Sequence, residues 1–115
     1  MEKFIYLFRN STTGNQSNSP EAMQAHMQKW MQWMEQLSKE GIMTGGEPLM
    51  TTGKLVNGKK KVVTDGPFTE AKEIIGGYLI VNAKDINHAV EISKGCPIFE
   101  EDGKLEVRPL QKMEM

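Results

Sequence analysis

The feature that most restricts the fold is a pair of short segments that are apolar on both faces. Residues 3 to 9 read Lys-Phe-Ile-Tyr-Leu-Phe-Arg, and residues 78 to 81 read Tyr-Leu-Ile-Val. Both are too short for helices and rich in aromatic and aliphatic residues, so they are predicted to be strands. Because side chains alternate along a strand, each segment presents apolar groups in two directions. A sheet built from them must be covered on both sides.

Two segments have the features of helices. The first is predicted to begin at Pro20, with Ser19 as its N-cap, and to end at Gly41. His26 and Trp33 lie together on one flank of its apolar stripe. The stripe itself recurs at spacings of four and three residues: Met23, Met27, Trp30, Met34 and Leu37. The four thioethers around Trp30 are expected to fill the core: Met23, Met27, Met31 and Met34.

The remaining pattern predicts short strands, a hairpin and a second helix. Strands are expected at residues 42–44, 55–56, 61–64, 74–81 and 105–109, a polar loop at 10–19 and a short helical turn at 70–73. Asn57-Gly58 favours a hairpin turn, and Gly76-Gly77 within a strand marks a bulge or a close approach of backbone or ligand. The second helix is expected to start after Asp85. This order predicts one α+β domain over residues 1–115, a ferredoxin-like split βαβ sandwich with an inserted β-hairpin.

In this topology both helices cover the same face of the sheet. The other apolar face therefore needs cover from outside the chain. A second copy packed sheet to sheet in a two-fold homodimer is the economical solution. A monomer with a ligand cleft on that face is the alternative.

Composition excludes several classes of partner. With 14 Lys+Arg against 15 Asp+Glu, the formal charge is -1, which gives no basic footprint for nucleic acid or for an anionic membrane. No apolar run reaches the ~18 residues of a membrane span, and no secretory signal is recognisable, so we expect a cytoplasmic protein. The chain has no phosphate-binding glycine motif, and two His with one Cys are too few for a metal site. We expect neither cofactor nor metal.

Two titratable residues are candidates for acid–base chemistry. Asp65 ends a predicted strand and precedes the rigid Gly66-Pro67 turn, which would hold its carboxylate in place. Ordinary Asp-Gly turn chemistry is the alternative explanation. His26 lies beside the apolar stripe, where a carboxylate could fix its tautomer and make it a general base, or where it is simply a structural histidine.

Four further residues are candidate substrate-binding groups. Phe68 either plugs a pocket or anchors its turn in the core. Arg108 shares a strand face with Glu106, and it could bind a substrate carboxylate or form a structural ion pair. Tyr6 on the first strand and Trp33 on the first helix complete the set.

Several motifs together resemble one known family. The segment from Val63 to Glu73 contains Asp-Gly-Pro-Phe and is followed by Gly76-Gly77-Tyr78 and by Glu-Val-Arg-Pro-Leu at residues 106–110. This combination resembles the DGPF branch of the YCII-related proteins over nearly the whole chain. The resemblance implies a dimeric α/β-barrel. It also implies kinship with small cofactor-free enzymes that perform elimination or isomerisation with a histidine and an aspartate; their histidine corresponds to Trp30 here.

Three hypotheses about function follow. The first is a cofactor-free enzyme in which Asp65 and His26 move a proton on a small organic molecule near the Asp-Gly-Pro-Phe turn. The second, suggested by the resemblance, is a non-catalytic dimer that binds a small molecule or assists transcription with alternative sigma factors. The third is a stable dimer in which the motif only turns the chain.

Overall fold

A computed structural model describes residues 1–11, 20–50, 52–65, 73–101 and 103–111. The helices are α1 (Pro20–Lys39) and α2 (Ile86–Ser93), followed by a 3₁₀ helix at Pro97–Glu101. The strands are β1 (Glu2–Ser11), β2 (Met43–Pro48), β3 (Lys54–Asn57), β4 (Val62–Asp65), β5 (Glu73–Ala83) and β6 (Lys104–Pro109). One antiparallel sheet has the order β2-β5-β1-β6, and β3 pairs with β4 in a separate hairpin. This α+β arrangement is compatible with the predicted ferredoxin-like fold.

The core lies between the helices and one face of the four-stranded sheet. Phe4, Tyr6 and Phe8 alternate along β1 and are all buried on that face. The Trp33 ring of α1 stacks on Tyr6 with ring centroids 6.4 Å apart. The Tyr6 hydroxyl donates a hydrogen bond of 2.5 Å to the carbonyl oxygen of Ala89 in α2. Both helices therefore cover the same face, as the topology predicts.

The opposite face of this sheet carries the alternate residues. Ile5 pairs with Ile80 across β1 and β5, and Leu7 pairs with Tyr78. These side chains are half-buried, whereas those of the helix face are buried. We call this surface the open face. The two-sided apolar pattern of β1 and β5 is confirmed.

The helix boundaries follow the sequence signals. Gly41 has φ +73° just after α1, a conformation that glycine adopts without strain. Asp85 caps α2, because its Oδ1 accepts a hydrogen bond of 2.8 Å from the backbone N–H of His88. Both predictions are confirmed.

The hairpin and the β2 edge differ from the prediction. The turn spans residues 58–61, with φ +66° at Gly58 and +56° at Lys61, so it is not a two-residue Asn-Gly turn. β2 continues through Gly45 and Gly46 to Pro48, beyond the expected strand at residues 42–44. It continues because Gly46, with φ +153°, still pairs with Leu79.

The N-terminal half of α1 also departs from the prediction. Trp30 and Met34 pack against the core and Leu37 is buried, but Met23 and Met27 are exposed. Periodicity identifies one face of a helix and cannot tell how far the facing sheet extends. Met31 is exposed as well, so the prediction that the thioethers around Trp30 fill the core is wrong for these three residues.

Some expectations fall outside the described residues: the N-cap at Ser19, most of the polar loop, Phe68 and residues 70–72 of the short helical turn. Glu73, expected to end that turn, is the first residue of β5. Within the described ranges, no helix is long and apolar enough to cross a membrane.

Candidate functional site

A cavity of about 430 Å³ lies between α1 and the β2–β5 edge of the sheet. We call it the α1 cavity. Its helical wall consists of His26, Trp30 and three thioether side chains, and its other lining includes Phe8 and residues of β2 and β5. The thioethers of α1 are Met27, Met31 and Met34, and β2 adds Met43. The lining is therefore mainly apolar.

Glycines of β2 and β5 form part of the cavity lining. Gly46, Gly76 and Gly77 line it and contribute no side chains. A Cβ at Gly46 would lie 2.9 Å from the Cα of Leu79, and one at Gly77 would lie 3.0 Å from the Glu47 carbonyl oxygen. The close packing of β2 on β5 thus requires glycine at position 46 and favours it at position 77. The register of β1 with β5 also shifts beside Gly76, so the predicted bulge and close backbone approach are confirmed.

His26 and Trp30 form the polar part of the wall. Trp30 Nε1–H donates a hydrogen bond of 2.9 Å to Nε2 of His26, and both residues are half-buried. A ring nitrogen that accepts a hydrogen bond carries no proton, so this geometry assigns the neutral imidazole protonated at Nδ1. The Trp30 ring also meets Phe8 edge to face, with centroids 5.0 Å apart. The indole is therefore held from two sides.

A carboxylate from the 3₁₀ helix lies near this wall. Glu100 accepts a hydrogen bond of 2.8 Å from the Nζ of Lys29, which is the main reason that its pKa is lowered. The positive charge that His26 carries when it is protonated contributes a smaller lowering of the same pKa. Glu100 is thus within electrostatic range of His26. The sequence carries no local signal that Glu100 lies near His26, because only the packing of the 3₁₀ helix on α1 brings them together.

The comparison with protein families identifies the family of this chain. A model of the YCII-related domain matches residues 5–114. The chain belongs to the YCII-related family. None of the curated proteins matches it. The function of this family is uncertain, so membership supports the fold more than any activity.

The YCII-related chain places Asp65 on the hairpin. Asp65 is the last residue of β4, is exposed, and forms an ion pair with Lys54 of β3. Among the described residues, the lining of the α1 cavity includes His26 and does not include Asp65. The structure therefore gives the two predicted catalytic residues separate surroundings.

Arg108 of the YCII-related chain lies on the open face. Its Nε is 3.8 Å from Oε2 of Glu106, and the Nε and Nη2 of Arg9 donate hydrogen bonds of 3.0 and 2.8 Å to Oε1 of the same carboxylate. Arg108 and Glu106 share a strand face, as predicted. The structural ion pair, one of the two expected roles of Arg108, is present.

Tyr6 and Trp33 lie in the core of the YCII-related chain beside Cys96. Burial raises the pKa of the Tyr6 hydroxyl, and the neighbouring Cys96 raises it further. Burial also raises the pKa of the Cys96 thiol to about 12. Both groups are uncharged at neutral pH, and Cys96 is a buried free cysteine.

Within the part of the YCII-related chain that the structure describes, no group of three or more His, Cys, Asp or Glu residues is arranged to hold a metal ion. The residues that the sequence did not single out as a site are the cavity thioethers and Glu100. Two sequence signals point to this location, the paired strand glycines and His26.

Proposed function

We propose that this YCII-related chain binds a small apolar organic molecule in the α1 cavity. The observation that carries the proposal is a cavity of about 430 Å³ with a mainly apolar lining and one hydrogen-bonded His–Trp pair in its wall. Ligand pockets commonly measure about 300–1,000 Å³ and combine apolar walls with a few placed polar groups. The α1 cavity has these properties.

The wall chemistry favours a ligand with an apolar body. Thioether side chains are unbranched and polarizable, so they adapt to the outline of a bound molecule. Four of them line the cavity, while Phe8 and Trp30 supply rigid aromatic surface. Such a wall accommodates variation in ligand shape more readily than it accommodates charge.

His26 supplies the polar contact. Its Nε2 accepts the Trp30 indole N–H, so a ligand donor that approaches this nitrogen must displace Trp30. Ligand binding and the indole environment are therefore coupled. Tryptophan fluorescence, to which Trp30 contributes together with the neighbouring Trp33, is consequently a readout of occupancy.

Binding of N-phenyl-1-naphthylamine, a neutral fluorescent probe, tests the proposal. We expect saturable binding that changes the Trp30 emission, and a weaker affinity in Met27→Arg, which puts a charge into the lining. Met23→Arg is the matched control, because Met23 is exposed one helical turn earlier and is not among the described lining residues. Equal affinities in the two variants would locate the probe elsewhere.

A second candidate function is proton transfer on the bound molecule. It is favoured by the presence of an imidazole in the cavity wall. His26 is the proposed base, and Asp65 is the partner that the sequence predicts for it. With an identified substrate, His26→Ala should reduce kcat by about 10²- to 10⁴-fold. Asp65→Asn tests the partner separately, since unchanged turnover in this variant would remove Asp65 from the mechanism and leave His26 in place.

The proton-transfer candidate also includes a set of substrate-binding residues. Only in this catalytic alternative do we propose that they contact substrate: Phe68, Arg108, Tyr6 and Trp33. Arg108→Gln is the most informative variant among them, because its side chain is exposed and its loss should not disturb the core. An unchanged KM would assign Arg108 to its ion pair alone.

We also propose that a second copy covers the open face and forms the dimeric α/β-barrel expected of the DGPF branch. The half-buried Ile5, Leu7 and Ile80 on that face support it. Sedimentation of the full chain should give a species of twice the 13.0 kDa chain mass. Ile80→Asp should shift it to the monomer, whereas a wild-type chain that sediments folded at 13.0 kDa would overturn the dimer.

A further inference from the structure

The four thioethers that line the α1 cavity differ in exposure. Met27 and Met31 are 62% and 63% exposed, whereas Met34 and Met43 are half-buried. Met27 and Met31 are four residues apart on α1, so they occupy neighbouring turns of one side of the helix. The outer part of the lining is thus made of two thioethers that solvent can reach.

We propose that Met27 and Met31 form an oxidation site, at which hydrogen peroxide converts both thioethers to sulfoxides and so weakens binding in the α1 cavity. This inference rests on the proposed binding function. In each reaction the sulfur lone pair attacks one peroxide oxygen, an S–O bond forms and the O–O bond breaks. The sulfur is oxidised, the peroxide is reduced, and water leaves.

The consequence for binding follows from polarity. A sulfoxide is a strong hydrogen-bond acceptor, whereas a thioether is a soft apolar group. An apolar molecule in the cavity would cover the new S–O groups without satisfying them. We expect the dissociation constant to rise about tenfold when both residues are oxidised.

The chain contains internal comparisons for this site. Met23 and Met50 are 56% and 83% exposed but are not among the described lining residues, so their oxidation should leave binding unchanged. Met34 and Met43 line the cavity but are better protected. Cys96 is buried, and burial disfavours its reactive thiolate, so the thiol does not compete for the oxidant.

The open face lies on the other side of the sheet from α1. A second copy on that face would leave Met27 and Met31 accessible. The proposed dimer and the oxidation site are therefore compatible.

The experiment treats the full chain with increasing hydrogen peroxide, assigns each sulfoxide by peptide mass spectrometry, and measures the affinity for N-phenyl-1-naphthylamine. Affinity should fall in step with sulfoxide at residues 27 and 31. The double variant Met27→Leu/Met31→Leu should bind the probe and lose this sensitivity, whereas Met23→Leu/Met50→Leu should retain it. Met27→Gln/Met31→Gln, which introduces polar groups without oxidant, should weaken binding in untreated protein.

Two failures are distinguishable. If the untreated protein does not bind the probe, the proposed binding function and the oxidation site both fall. If it binds the probe but the affinity is unchanged after residues 27 and 31 are oxidised, only the oxidation site is overturned. Folding of each variant is checked by its thermal transition, and leucine is chosen because it conserves volume and helix propensity.

Discussion

The two faces of the four-stranded sheet use the same strands and reach different degrees of burial. On the helix face, Phe4, Tyr6 and Phe8 of β1 are buried and the Tyr6 hydroxyl is hydrogen-bonded. On the open face, Ile5 and Leu7 of the same strand are half-buried beside an exposed ion-pair cluster. The difference shows that strand alternation divides the apolar residues between two surfaces, while the helices of this chain cover one. Truncation of a side chain on the helix face should therefore lower the free energy of unfolding more than truncation of one on the open face.

Adjacent residues of β5 give the largest expected contrast. Leu79 is buried on the helix face, and Ile80 is half-buried on the open face. Leu79→Ala should lower the free energy of unfolding by about 2–5 kcal/mol, because truncation of a buried side chain leaves a cavity. Ile80→Ala should cost about 1 kcal/mol in an isolated chain. Urea denaturation of both variants measures the contrast.

Protein concentration sharpens this comparison. If a second copy covers the open face, the midpoint of wild-type unfolding rises with concentration, and the Ile80→Ala penalty rises with it. Similar penalties at Leu79 and Ile80 at every concentration would contradict the distinction between the faces.

The second prediction concerns how the stability of the buried helix face depends on pH. Burial raises the pKa of Cys96 to about 12 from an ordinary value of 9.0, so the folded state retains a proton that the unfolded state loses between these values. Stability is therefore unaffected below about pH 9 and falls above it, by at most about 1.4 kcal/mol per pH unit for this thiol. Thermal melts between pH 8 and 11 should show a shallower decline in Cys96→Ala. An identical decline would assign the effect to other groups, of which Tyr6 is the first, because burial raises its pKa in the same direction.

Removal of one buried hydroxyl is expected to have a smaller effect. Tyr6→Phe keeps the ring stacked on Trp33 and deletes the hydrogen bond to the Ala89 carbonyl. The loss should be about 1 kcal/mol, typical of a single intramolecular hydrogen bond. Chemical denaturation measures it, and a stabilised variant would show that the bond is not favourable.

The smallest effect is expected on the open face. Arg9→Gln removes the ion pair with Glu106. The side chains of both partners are slightly more than a third exposed to solvent. Solvent screening should limit the loss to less than about 1 kcal/mol, and added salt should reduce it further. A loss of several kcal/mol, insensitive to salt, would mean that the pair is covered in solution and would favour the dimer.

Much of the fold was predictable, because local chemistry set it. The caps at Gly41 and Asp85, the alternation in β1 and the order of elements all follow from residue types and their spacing. The end of β2 was not predictable in this way. Gly45 and Gly46 look like a break in isolation, and only pairing with β5 keeps them in a strand.

The site was less predictable. The glycines of β5 signalled a close backbone approach, and His26 was singled out from its place on α1. Helical periodicity predicts that the thioethers of α1 fill the core, because it does not show what the facing strands contribute. The link from Glu100 to His26 depends on how the 3₁₀ helix packs on α1, and neither sequence neighbourhood contains it.

The sequence by itself determined the class of fold, the two-sided apolar sheet and the lack of a basic footprint, since these follow from periodicity, strand alternation and charge. Tertiary structure alone decided which methionines pack against the core and that a cavity forms beside His26. It also placed Asp65 on a separate hairpin. The physical reason is that a side chain's environment depends on what the opposite element contributes. Here that element is the β2–β5 edge of the sheet, and the cavity lies between it and α1 where periodicity predicts packing.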